Sequence, residues 1–243
     1  MRPRRLLAAL LLLGSSASVF AGTHWWAAFA DPTLDQLMQN AAPADAAAQQ
    51  ALVENYIVAR VDHTRGLLAT RLLQAARDEE ALLMNADPSQ QRDTALAAVS
   101  RRLEQIEGNA SQIALERDKV TAELALRCGS TPADLVALLT PTQGRPVLPR
   151  VDAPLPSGPA VENDTRRQHL AEQHEDVQRR SQLLEARRLE MKAHETRERA
   201  GAGDPVGALE TYQQMVLDSD RLALASGRLA LAWAQWLPSP AGR

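Results

Sequence analysis

Between Asp45 and Asn85 the chain contains no proline and a single glycine, Gly66. A helix of about 40 residues at 1.5 Å per residue spans about 60 Å. No ordinary globular core encloses a rod of that length, so it must lie against other helices of similar length. A second long stretch follows. Asp87-Pro88 reads as a helix start, an N-cap followed by proline at the first helical position. Beyond it Leu96, Val99, Leu103, Ile106, Ala110, Ile113, Arg117, Val120 and Leu124 recur at alternating spacings of three and four, a heptad seam with Arg117 as its one charged member. Cys128-Gly129 closes the helix, the glycine suiting the left-handed position just past a helix end. Ser130-Thr131-Pro132 then opens a short helix over residues 133–139.

A second unit repeats this plan after an interruption. Residues 140–162 carry Pro141, Pro146, Pro149, Pro154, Pro156 and Pro159, which predicts an irregular crossover between two halves. A third long helix is expected over residues 163–199, with Leu170, Val177, Leu184 and Met191 seven apart but mostly polar residues between them, so its packing face is thin. Gly201-Ala202-Gly203 breaks it and Asp204-Pro205 starts a fourth helix. Its expected apolar face is Ala208, Tyr212, Met215, Leu222, Leu229, Trp233 and Trp236. Setting Asp87-Pro88 over Asp204-Pro205 aligns Asp93 with Glu210, Thr94 with Thr211 and Val99 with Val216, a weak internal repeat in which both hairpins turn alike. Ahead of all this, Asp31-Pro32 opens a short helix to about Asn40, preceded by Trp25-Trp26 and Phe29.

The fold class predicted is therefore all-α: two long antiparallel, coiled-coil-like helical hairpins joined by a proline-rich crossover. The boundaries expected are a leader over residues 1–21, a first hairpin with its short flanking helices over 22–139, the crossover over 140–162, a second hairpin over 163–237 and a tail over 238–243. Composition agrees: 45% of residues are apolar but only 3% aromatic, the balance of a chain that buries narrow seams.

Residues 1–21 combine Arg2, Arg4 and Arg5, an apolar run over 6–13 and the small-residue ending Val19-Phe20-Ala21, the pattern of a secretory signal peptide. The expected location is the periplasm, with outer-membrane association through partners. The apolar run is well short of the roughly 20 residues a membrane helix needs. The single cysteine, Cys128, permits no internal disulfide and is not placed for lipid attachment. A net charge of −3 argues against nucleic acid, which demands a basic face. His24, His63, His169, His174 and His194 form no i,i+4 pair, and no ligand spacing surrounds them, so no metal or other cofactor is expected. No phosphate loop or nucleophile elbow occurs, and the expectation is no enzyme. Nor does any segment alternate apolar and polar residues over the roughly 9–11 positions of a transmembrane β-strand.

Trp25-Trp26, Phe29, Asp31-Pro32, Leu34 and Leu37 together resemble the opening of mature TolC-type outer-membrane factors, the outer subunits of tripartite efflux pumps. Glu54-Asn55-Tyr56, then Gly129, Pro132, Leu135, Leu139 and Leu155-Pro156, then residues 199–214 at the second turn, resemble later parts of that family in the same order. The resemblance implies a homotrimer whose hairpins form an α-barrel tunnel and whose tips face a periplasmic adaptor (membrane fusion) protein. It places adaptor contact at Asp87, Pro88 and Ser89 in the first turn and at Gly201, Gly203, Asp204 and Pro205 in the second, with Leu96, Val99, Leu103, Ile106, Ile113, Val120 and Leu124 as the packing seam. The tip residues also have a purely structural explanation, because a helix must stop and restart there. The alternative function is a periplasmic coiled-coil scaffold or regulator derived from that family and no longer forming a pore. Trp233 and Trp236, three apart near the C-terminus, are read as packing against a neighbouring helix, with Trp25-Trp26 docking on the same region.

Overall fold

Three long helices begin for the same physical reason: a short polar side chain takes a hydrogen bond from an amide that the helix itself leaves unpaired. Asp45 accepts from the Ala48 amide at 2.8 Å, Ser89 from Arg92 at 3.1 Å and Asp204 from Gly207 at 3.0 Å. The computed structural model describes residues 24–144 and 161–237. The expected leader at 1–21, most of the crossover and the tail at 238–243 lie outside the described residues. A 3-10 turn over Trp25–Phe29 leads into α1 (Pro32–Ala41), then α2 (Ala46–Asn85), α3 (Gln90–Arg127), α4 (Pro132–Leu139), a second 3-10 turn over Thr140–Thr142, α5 (Val161–Arg199) and α6 (Pro205–Trp236). All elements among the described residues are helical.

Several boundaries differ from expectation. α3 starts at Gln90 with Ser89 as its cap, so Asp87-Pro88 lies in the turn and not at the cap. The second turn keeps the Asp-Pro form, with Asp204 capping and Pro205 first in the helix, so the two hairpins do not turn alike. Ser89 prevails in the first turn because its hydroxyl sits three residues before an amide it can satisfy, while Arg92 reaches back to the Ala86 carbonyl at 3.2 Å. The segment expected to be irregular from residue 140 begins with a 3-10 turn whose Thr142 carbonyl accepts from Arg60 at 3.2 Å, and α5 begins at Val161 instead of at residue 163.

The extensive interfaces are α2 with α3, α2 with α6 and α5 with α6. The helices thus lie in the order α3–α2–α6–α5. Val61 meets Gly227, Arg65 meets Asp220 and Glu79 meets Gln213, so α2 and α6 run antiparallel. Since α2 ends and α6 begins at their hairpin turns, both turns come to the same end of the layer. Val206, just inside α6, packs on the cluster of Ala76, Leu83, Val99, Leu103 and Ile106 beneath the first turn. The opposite end holds the larger core, where Trp26 and Phe29 join Leu34, Tyr56, Leu124, Leu139, Trp233 and Trp236. The tryptophans expected to share a region do so.

The expected seam of α3 faces α2. Val99, Leu103, Ile106 and Leu124 are buried, whereas Leu96, Ile113, Val120 and Arg117 are half-buried at its margins. Arg117 turns outward to Asp118 at 2.7 Å while its stem lies over Gly66. The single apolar face expected for α6 is too narrow. Leu229, Trp233 and Trp236 are buried as expected, but Ala208, Tyr212, Met215 and Leu222 are half-buried, and Gln213, Val216, Asp218, Ala225, Ser226 and Ala230 are buried as well. A helix held between two neighbours buries two sides.

At Gly227 the two hairpins pack too closely to admit a side chain. A Cβ at this position would lie 2.5 Å from Val61 Cγ2, and valine in a helix has little rotamer freedom to move aside. Gly227→Ala gains about 1 kcal/mol in helix propensity. The overpacking against Val61 outweighs that gain, and we expect a net loss of about 1–2 kcal/mol in denaturant unfolding. The double variant Val61→Ala/Gly227→Ala should recover part of the loss.

Candidate functional site

The seven tip residues singled out in the sequence are all exposed at the shared end: Asp87, Pro88 and Ser89 in one turn, Gly201, Gly203, Asp204 and Pro205 in the other. α2 ends with Ala86 in an extended conformation, and the Asn85 side chain returns to the Ala81 carbonyl at 2.9 Å. α5 ends differently. Gly201 adopts a positive φ of 75°, its amide bonds the Glu198 carbonyl at 3.0 Å and the Ala202 amide bonds that of Arg197 at 2.9 Å. That is a Schellman stop, which a glycine accommodates without steric cost. The same arrangement closes α3, where Gly129 has a φ of 61° and the Ser130 amide bonds the Ala125 carbonyl at 2.9 Å, as its sequence position predicts. Gly203 also packs closely, since a Cβ there would lie 3.2 Å from Glu198 Cα and would require a small shift.

Beneath the tips a buried carboxylate ties three helices together. Glu79 on α2 is 2% exposed and accepts from Arg102 of α3 at 2.7 Å and from Gln213 of α6 at 2.6 Å. Its two oxygens are thus divided between the partner hairpin helix and the neighbouring hairpin, fixing the relative height of the two turns. Sequence reasoning did not find this group. Glu79 sits in a charge-rich stretch, Asp78-Glu79-Glu80, that reads as solvated face, and nothing local marks which of the three points inward.

Other buried polar groups lie farther from the tips. Asp31, identified in the sequence only as a cap, uses Oδ1 for the Thr33 amide at 2.9 Å and Oδ2 for Tyr56 at 2.9 Å and Arg60 at 2.7 Å. Burial pushes the Tyr56 phenol well above its ordinary range, against the lowering effect of Arg60. Arg65 gathers Asp62, Glu116 and Asp220 from three helices, and burial foremost, with those neighbouring carboxylates, raises the Asp62 carboxyl. His63 is buried 3.0 Å from Thr121 Oγ1. The Thr121 hydroxyl donates to the Arg117 carbonyl, which leaves its oxygen to accept from Nε2 of the histidine. Burial first, and the Arg117 charge second, hold the His63 pKa below its ordinary value. Among the described residues no group of three or more histidine, cysteine, aspartate or glutamate side chains is arranged to hold a metal ion, and no helix is long and apolar enough to cross a membrane.

No protein-family model, curated protein or solved structure matches this chain.

Two outcomes follow from these buried groups. Glu79→Ala leaves the buried Gln213 amide without its acceptor, whereas Arg102 can turn to water; the expected cost is about 1–3 kcal/mol in chemical denaturation. Because the folded-state pKa of His63 is depressed, the unfolded chain takes up the proton more readily than the folded one. Stability should therefore fall as pH drops through about 6.5. The difference between wild type and His63→Gln, compared from pH 8 to pH 5.5 by thermal unfolding, isolates this contribution from the opposite one of Asp62. A wild type and variant that shift in parallel would contradict it.

Proposed function

We propose that this protein is an outer-membrane-factor-like component of a tripartite efflux system, exported to the periplasm, whose two helical turns contact an adaptor protein. The observation that supports the reading best is the placement of both turns at one end, exposed and side by side, over a support formed by Glu79 and the cluster around Val99. A surface composed from two turns 115 residues apart in sequence, Asp87 against Ala202, suits recognition of a partner better than either turn alone. Asp87, exposed and making no ion pair or hydrogen bond among the described residues, offers such a partner a carboxylate. The ordered resemblance that begins at Trp25-Trp26 and Asp31-Pro32 supplies the family and the adaptor.

The layer also has two unpaired edges. α3 exposes Leu115 and Leu126, and α5 exposes Leu183 and Leu189. In the proposed assembly α3 of one copy meets α5 of the next, which covers these side chains and agrees with a homotrimer.

A photoreactive residue at Ser89 or Ala202, both exposed, should trap one periplasmic adaptor protein. The same sites should lose that product when the turn is altered by Asp87→Lys. Light scattering of the purified protein should give a trimer mass. A monomer whose Ser89 and Ala202 probes trap only unrelated proteins would overturn the efflux reading in favour of a free-standing coiled-coil scaffold.

A further inference from the structure

Over α6, between α2 and α5, runs a partly open cavity of about 350 Å³. Val61, Leu68, Leu184 and Leu222 give it an apolar lining. Its charged lining is entirely cationic: Arg60, Arg71 and Arg188 border it, and among the described residues no aspartate or glutamate does. The carboxylates that pair with Arg60 and Arg188 lie outside this lining.

The three arginines are not equivalent. Arg60 is committed to Asp31, Tyr56 and the Thr142 carbonyl. Arg188 has a solvent-exposed pair with Glu185 at 3.2 Å, of the kind that water readily replaces. Arg71 makes no ion pair or hydrogen bond among the described residues. Its neighbour Arg65, on the same helix, is by contrast surrounded by three carboxylates. Arg71 and Arg188 therefore bring two planar, permanently charged donor groups to an apolar cavity.

We propose that this cavity binds an amphipathic monocarboxylate, its head group held by Arg71 and Arg188 and its alkyl chain lying on Val61, Leu68 and Leu222. A mainly apolar cavity with a few polar groups, here including Thr64, Ser219 and Ser226, is the usual form of a small-molecule site. A volume of about 350 Å³ lies at the small end of ligand-sized cavities, which suits a medium-length chain such as that of decanoate. A doubly charged head without a chain would leave the apolar lining unused, and an alcohol would leave the guanidinium groups without their anion. The inference stands independently of adaptor contact at the tips, since the cavity lies on different residues.

Isothermal titration of the full chain with decanoate, below its micelle-forming concentration and at low salt, tests this. One saturable site per chain is expected, and Arg71→Ala/Arg188→Ala should weaken binding at least tenfold. Both side chains are exposed, so circular dichroism should show the variant folded. Ala223→Trp, which fills the cavity from α6 while retaining both arginines, should also abolish binding. Decanol and decyltrimethylammonium should bind at least tenfold more weakly than decanoate. Absence of saturable decanoate binding, equal affinity for decanol, or unchanged affinity in the double arginine variant would each overturn the proposal.

Discussion

The antiparallel contact of α2 with α6 is the interaction on which the rest of the structure depends. Each hairpin alone is two helices with one shared seam, and a pair of that kind leaves most of its surface to water. Joining them through α2 and α6 converts two narrow seams into a layer in which the central helices are covered on two sides. Gly227 packs tightly against Val61, and the polar ties Arg65–Asp220 and Glu79–Gln213 fix the register farther along. A slide of one helical turn, about 5.4 Å, would break both ties at once. The same contact brings the two turns to one end.

The three interfaces are built from different chemistry. Between α2 and α3 the seam is mainly aliphatic, as the heptad spacing requires. Between α5 and α6 it is largely polar: Asp176 accepts from Arg228 at 3.3 Å, the buried Asp218 from Arg187 at 3.4 Å, and Thr211 lies 3.1 Å from the His194 ring. Hydrogen bonds from Arg180 and Arg179 hold the Asp176 carboxyl down at about 2. Partly exposed pairs are worth about 0–1 kcal/mol each, and salt screens them. Burying a leucine is worth about 1.5–3 kcal/mol. Leu170 and Leu184 are the buried large apolar side chains of α5 among the described residues. This edge helix is consequently the least firmly held of the four, and an oligomer that covers it has the most to stabilise there.

Placed on this frame, the tips and the cavity divide the surface by chemistry. The tip end presents turn backbone and the Asp87 carboxylate on a support tied down by Glu79. The cavity presents guanidinium groups over an aliphatic lining.

The sequence by itself determined the helices, their approximate ends and the α3 face, because caps, glycine stops and heptad spacing act over a few residues. Asp204 and Gly129 could be read directly for that reason. It also determined that Trp233 and Trp236 would be packed. Asp87-Pro88 misled because two cap candidates stood two residues apart and local pattern does not rank them. The order of the helices, the two-sided burial of α6 and the inward turn of Glu79 were decided only by the tertiary structure. Each depends on residues that meet across long separations, Glu79 and Gln213 being 134 apart. No local propensity records which of several charged neighbours in a helix will face another helix, since only the partner surface decides which side is removed from water.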